Sequence, residues 1–298
     1  MLQTVRLALA VCLAVMGMSG HAANFDLAQV RESGVLRHLG VRYANFVTGA
    51  GDGLDVELMR GFATDLGVRY EFVPTTWEGV FGDLTGTQAR RHGDGAERFG
   101  KAPVRGDVVA NGMTVLAWRT QVVAFSEPTF PSGVWLVARA DSTLQPIVPS
   151  GSLDHDIVAT KGQLGGSSVL ALPNTCLDPG LYQLESTRAD IRLAPKERKL
   201  NEMIPALLNR DAETTLLDVP DALVALERWP GEIKVLGPIS DHQRMAVAFR
   251  PESVALREAF NAYFARIREN GTYQQMVTKY YPAVFDYFPE FFARTAVR

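Results

Sequence analysis

The sequence predicts an α/β protein of two domains, and three observations carry that expectation. The length of 298 residues is about twice that of an average domain. Residues Val35 to Val73 read as strand, helix, strand, the opening of an α/β sheet. A Pro-, Gly- and Ser-rich stretch from Asp141 to Ser168 then separates this run from a second set of short apolar strands, as a domain boundary does. Composition agrees. With 47% hydrophobic and 21% charged residues and a formal net charge of −3, the chain fits an ordinary globular protein. Mild acidity gives no electrostatic reason to expect nucleic acid. Two cysteines exclude a disulfide scaffold.

Residues Met1 to Ala23 read as a secretory signal. Arg6 supplies the charged start, Leu7 to Met18 the apolar run, and Gly20, Ala22 and Ala23 the small residues of a cleavage site near Ala22 or Ala23. The apolar run is shorter than the ~20 residues a membrane span needs, and no later segment reaches that length. The expectation is therefore a secreted chain that is not membrane-embedded. Its one remaining cysteine, Cys176, is expected to be a small buried residue.

The elements follow in order. Val35–Val41 reads as a first strand. Leu54, Leu58, Met59, Phe62, Ala63 and Leu66 fall at helical spacing, and Gly67 stops that helix. Val68–Val73 is a second strand. Gly86 to Pro103 is polar, basic and glycine-rich and reads as a surface loop. Val108–Val115, Gln121–Phe125 and Gly133–Ala138 are strand-like. Val169–Leu172 and Thr214–Leu217 look like strands of a second sheet, with a helix at Leu200–Leu208 between them. Met245–Phe249 is a further strand. A helix from Ser253 to Asn270 carries the stripe Leu256, Phe260, Tyr263, Phe264 and Ile267. A short helix over Met276–Tyr281 follows, and the aromatic tail from Phe285 to Phe292 reads as a clamp on the body.

Catalytic signals are mostly absent. There is no nucleophile elbow, phosphate-binding loop or zincin motif. His38, His92, His155 and His242 are scattered without metal-ligand spacing and read as surface or capping residues. No cofactor is implied.

Several segments, taken in sequence, carry a resemblance. They are Gly34-Val35-Leu36-Arg37, Gly53-Leu54-Asp55-Val56-Glu57-Leu58, Gly106-Asp107-Val108-Val109 with Gly112-Met113-Thr114-Val115, and Val123-Ala124-Phe125-Ser126-Glu127-Pro128. Leu216-Leu217-Asp218, Asn270-Gly271-Thr272-Tyr273 and Lys279-Tyr280-Tyr281 complete the series. Their order and spacing resemble periplasmic solute-binding proteins of the polar-amino-acid type, extracellular solute-binding family 3, over nearly the whole chain after the signal.

The resemblance implies a two-lobe type II periplasmic-binding fold, each lobe a mixed sheet flanked by helices, joined by two crossover strands. Lobe 1 would comprise residues 24–135 and 245–298, and lobe 2 residues 136–244. It implies a monomer that closes on a small ligand and delivers it to an ABC permease. Arg119 falls where the family's carboxylate-binding arginine sits, with Thr114 close before it. Asp218 falls at the acidic residue that accepts the ligand's ammonium from the other lobe. Tyr43 and Phe46 fall near the aromatic wall, and Asn174 and Thr175 on the second-lobe loop that approaches the carboxylate. A planar guanidinium suits a carboxylate because it can donate two charge-assisted hydrogen bonds at once. Trp77 and Trp135 read as packing residues.

This chain departs from the family pattern at three places. Leu116 replaces a hydroxyl, Trp118 precedes Arg119, and the loop reads Pro173-Asn174-Thr175-Cys176 where glycine and two hydroxyls are usual. These departures point to a small acid other than an ordinary α-amino acid, or to a more apolar one. Two alternatives stand beside import. One is a dehydratase-like enzyme on the same fold, with Glu78 or Glu127 as general acid. The other is a sensing or accessory module for an envelope enzyme.

Overall fold

A computed structural model describes residues 26–195 and 198–293. The expected signal segment lies outside them, apart from which every element above can be placed. The chain runs α1 (Leu27–Ser33), β1 (Val35–Gly40), α2 (Leu54–Leu66), β2 (Arg69–Pro74), α3 (Val80–Thr85), β3 (Thr87–His92), β4 (Gly95–Lys101), β5 (Val108–Val109), α4 (Ala117–Thr120), β6 (Ala124–Phe125) and β7 (Phe130–Ser132). It continues through β8 (Val134–Arg139), α5 (Leu153–Gly162), β9 (Ser168–Ala171), β10 (Asp190–Leu193), α6 (Met203–Leu208), β11 (Thr214–Asp218), α7 (Val219–Arg228) and β12 (Ile233–Pro238). It returns through β13 (Gln243–Met245), β14 (Ala248–Phe249), α8 (Val254–Glu269), α9 (Thr272–Tyr280), α10 (Val284–Tyr287) and α11 (Pro289–Ala293).

Two five-stranded mixed sheets form the body, in the orders β2-β1-β5-β14-β6 and β10-β9-β11-β8-β12. In the first, β1 pairs in parallel with β2 and β5, while β14 runs antiparallel to β5 and β6. In the second, β9 is parallel to β10 and β11, while β8 is antiparallel to β11 and β12. The chain passes between the sheets along β7 and β13, which pair antiparallel as Phe130 with Met245 and Ser132 with Gln243. The first sheet therefore takes strands from both ends of the chain and the second from its middle. Val134 and Trp135 already belong to the second sheet, so the expected border between residues 135 and 136 falls inside β8.

Apolar spacing explains the helices that cover the sheets. α2 buries Leu54, Leu58, Met59, Phe62 and Ala63 and ends at Gly67, whose φ of 72° is cheap only for glycine. α8 buries Leu256, Phe260, Tyr263, Phe264 and Ile267 against it, with Phe62 meeting Phe260 edge-on. The aromatic tail packs across the crossover strands: Tyr287 meets Trp135, Phe288 meets His242 and Phe292 meets Phe130. Among the described residues no helix is long and apolar enough to cross a membrane.

Four expectations are corrected. The basic stretch after Gly86 is a β-hairpin, β3 with β4 in register from Gln88–Phe99 to His92–Gly95. Gly93, at φ 57°, is the first residue of its two-residue loop. The expected strand over Val108–Val115 forms ladder pairs only at Val108 and Val109, and the rest is a loop. The Pro- and Gly-rich stretch from Asp141 to Ser168 contains helix α5. His38 is not a surface residue. It lies on strand β1, between β2 and β5, wholly buried, with Nδ1 2.9 Å from the Tyr70 hydroxyl, Nε2 2.5 Å from the Ala110 carbonyl and Phe72 edge-on to its ring.

Burial drives the His38 pKa down to about 4, against a pull upward from the Ala110 carbonyl. A depressed histidine stabilises the fold above its unfolded pKa near 6.5, and that contribution is lost as pH falls through about 4. Buried Asp55, pushed up to about 7 by burial, acts in the opposite sense, stabilising most at low pH and losing that contribution as pH rises through 7. Asp55 shifts stability the other way over the same range, so the histidine is isolated by comparing the parent with a His38 variant in urea unfolding at pH 6.5 and at pH 4. His38→Gln is expected to remove a loss of about 3 kcal/mol between those pH values. An unchanged loss in the variant would clear His38 of acid sensitivity.

Candidate functional site

The candidate site lies where the carboxyl ends of parallel strands from both sheets face each other, the usual place for ligands in open α/β sheets. Tyr43 follows β1, and Thr114 and Arg119 follow β5. Thr175 and Cys176 follow β9, and Asp218 ends β11. These residues, with Trp77, Gly112 and Leu200, line one cavity between the sheets. The space left inside it is about 10 Å³, room for a single water.

The loop from β5 is fixed before it reaches the site. Asp55, in the first turn of α2, accepts the Gly112 amide at 2.7 Å. Gly112 has φ 64°, and a side chain there would run into the Phe46 ring. Thr114 pairs with Met245 of the crossover strand β13. Its carbonyl then accepts Nη1 of Arg119 at 2.9 Å across the single turn of α4.

Arg119 is 3% exposed. Its Nε has no hydrogen-bond partner, and no carboxylate among the described residues lies within ion-pair distance. Aromatic faces stand in for a counter-charge: the guanidinium carbon is 5.9 Å from the Trp77 ring centre and 5.4 Å from that of Trp118. Burial lowers its pKa, yet a guanidinium stays charged in proteins. A buried cation without a paired anion is costly, by several kcal/mol.

Asp218 faces it from the second sheet, 2% exposed. Oδ1 caps α7 by accepting the Asp221 amide at 3.2 Å. Oδ2 accepts the Tyr43 hydroxyl and, at 3.4 Å, the Cys176 thiol. Burial raises the Asp218 pKa, partly offset by these donors. Burial, with the Asp218 charge, also pushes Tyr43 and Cys176 well above their ordinary values, so both stay protonated donors.

Of the residues expected at the site, Arg119, Asp218, Thr114, Thr175 and Tyr43 line the cavity together. Thr175 Oγ is engaged locally, donating to the Leu172 carbonyl at 2.8 Å and accepting the Leu177 amide at 3.0 Å. Phe46 stands outside the lining, stacked behind Tyr43 and packed on Phe130 and Tyr281. Asn174 is exposed, its backbone left-handed at φ 62° and its amide held by Asp178. Glu78 and Glu127, named as general acids for a dehydratase, are corrected: both are exposed and neither lines the cavity. Trp77, read as packing alone, lines the cavity against Arg119. Cys176 is buried as expected, but beside Asp218 rather than in inert core.

Contacts from the first lobe to the second hold the cleft narrow. Besides Tyr43 on Asp218, Arg91 of the hairpin strand β3 pairs with Asp178 after β9 at 2.8 Å, both side chains largely shielded.

The model of the bacterial extracellular solute-binding proteins of family 3 matches residues 103–283. The chain belongs to that family. Among curated proteins it is 30% identical over 238 residues to membrane-bound lytic murein transglycosylase F of Desulfosudis oleivorans, covering 79% of this chain and 46% of that one. It is 24% identical over 270 residues to the protein of the same name from Photobacterium profundum, covering 88% and 47%. The chain thus spans about half the length of these curated relatives. Among solved structures, a mutant of ArgBP from T. maritima superposes with a TM-score of 0.67 at 21% identity, covering 86% of this chain and 99% of that one. An ancestral amino acid-binding protein, described as a precursor of cyclohexadienyl dehydratase, superposes at 0.66 and 21%, covering 86% and 98%. At such identities these structures speak for the fold alone, a two-lobe solute-binding fold.

The inter-lobe pair yields a direct test. Arg91→Ala is expected to weaken the closed arrangement by about 1 kcal/mol, shifting the population towards parted lobes. Small-angle scattering would read this as a larger radius of gyration; an unchanged profile would show that the pair holds nothing together.

Proposed function

We propose that this chain is a periplasmic receptor that closes on a small acidic solute and hands it to an ABC importer. The observation that carries the reading is Arg119, a buried cation with an unpartnered Nε, no carboxylate among the described residues within ion-pair distance and a place in the wall of the inter-lobe cavity. An acidic group on a ligand supplies the missing counter-charge through two charge-assisted hydrogen bonds. Thr114 positions the guanidinium, Trp77 and Trp118 bracket it, and Tyr43 and Asp218 join the lobes behind the ligand. Closure follows from differential contacts, since only the closed form brings residues from both lobes to the same molecule. Family membership supports solute binding as the general activity. In this reading the chain acts as a monomer and needs no metal.

A second reading has its own support. Both curated relatives carry the name of a lytic murein transglycosylase. In this reading the chain is a sensing or accessory module for an envelope enzyme, and lobe closure reports solute to that enzyme. Crosslinking in cells separates the two: recovery of a permease supports delivery, and recovery of a murein-cleaving enzyme supports the sensor.

The binding step itself is tested by thermal unfolding against a panel of small carboxylic and amino acids. At least one acid is expected to stabilise the chain by about 2.7 kcal/mol at a hundred times its Kd. Arg119→Met is expected to abolish that gain. Without solute the variant should be as stable as the parent or more so, by about 1 to 2 kcal/mol, because a buried unpaired charge has been replaced by an apolar chain. Stabilisation that survives in Arg119→Met would remove Arg119 from the site.

A further inference from the structure

We infer that the cleft selects a small monocarboxylate without an α-ammonium and discriminates against the matching amino acid. This rests on the proposed reading of Arg119 as the anchor of an acidic group, and it concerns the other half of the same site.

An amino acid brings two charges into the cleft. Its carboxylate would find Arg119, whose Nε is free to donate. Its ammonium carries three N–H donors, and each needs an acceptor once water is excluded. The acidic group in the cavity wall is Asp218, and three of its roughly four acceptor positions are already taken. Oδ1 holds the Asp221 amide, while Oδ2 holds both the Tyr43 hydroxyl and the Cys176 thiol. Tyr43 and Cys176 are buried and protonated, so around Oδ2 the cleft offers donors where an ammonium needs acceptors. Thr175 does not replace Asp218, since its hydroxyl already bridges Leu172 and Leu177. Asp218 keeps about one acceptor position for three N–H donors, so an ammonium that makes more than one bond to it displaces Tyr43 or Cys176.

A monocarboxylate makes no such demand. It pairs with Arg119 and leaves Asp218 bound to Tyr43 and Cys176. The remaining walls, Trp77, Leu200 and Gly112, suit a short apolar or hydroxylated chain. The cavity has room for one water, so every ligand widens the cleft, and two or three carbons ask the least widening.

Tyr43 and Cys176 are therefore the specificity determinants, through their hold on Asp218. Titration calorimetry on the full chain at pH 7 tests this with matched pairs: L-lactate and propionate against L-alanine, glycolate against glycine. The acids are expected to bind at least tenfold more tightly than the amino acids. Tyr43→Phe frees one position on Oδ2 and should narrow that ratio at least tenfold by strengthening alanine or glycine. Cys176→Ala, which leaves Tyr43 in place, should narrow it in the same direction and serves where Tyr43→Phe does not fold. Equal or tighter binding of the amino acids by the parent chain, lost in Arg119→Met, would overturn this inference and leave the receptor reading intact. An unchanged ratio in both variants would also overturn it. Binding by neither class would overturn the receptor reading of Arg119 together with the inference.

Discussion

A single buried cation organises the site. Arg119 is held by one hydrogen bond to the Thr114 carbonyl, lies between two tryptophan faces and meets no carboxylate within ion-pair distance among the described residues. Taking a guanidinium out of water costs several kcal/mol unless an anion or a set of acceptors repays it. Much of the first lobe works to keep it there. Asp55 pins the Gly112 amide, the Phe46 ring leaves room only for glycine at 112, and Thr114 is tied to the crossover strand at Met245. In the proposed reading, this uncompensated and rigidly held charge is the place for an opposite charge on the solute.

The second lobe answers through Asp218, which performs several tasks with one carboxylate. It caps α7, it holds the Cys176 thiol, and it accepts Tyr43 from across the cleft. The same residue thus shapes its own lobe and joins the other. The chain passes between the sheets along β7 and β13, Met245 of β13 pairs with Thr114, and the aromatic tail packs over Phe130, Trp135 and His242, so in the proposed reading a change of lobe angle reaches both the site and the tail. That coupling suits either a permease or an envelope enzyme as the reader of closure.

Much of this was legible in the residues. α2 and α8 follow from apolar spacing alone, and the positions of Arg119, Thr114 and Asp218 followed from ordered motifs of one family. The hairpin was hidden because its side chains are polar on both faces, with only Ala89 buried, so no alternation betrays it; the two-residue Gly93-Asp94 loop was the available signal. A histidine on a short strand reads as polar, whereas the His38 side chain falls on the same face of β1 as buried Leu36 and is covered there beside Tyr70, Phe72 and the Ala110 carbonyl. Trp77 and Cys176 were undervalued for a different reason. Their significance is their distance from Arg119 and Asp218, which lie far away in sequence. Asn174 shows the converse: its loop reaches the site, but a left-handed backbone turns that residue to solvent.

The most direct test is an experimental structure of the chain with the small molecule it retains on purification. Density is expected in the cleft for an acid whose oxygens lie within hydrogen-bond distance of Arg119 Nε, with Tyr43 still bound to Asp218. An acid seated elsewhere, such as the surface recess of the second lobe lined by Arg139, Arg192 and Arg210, with Arg119 unengaged, would contradict it.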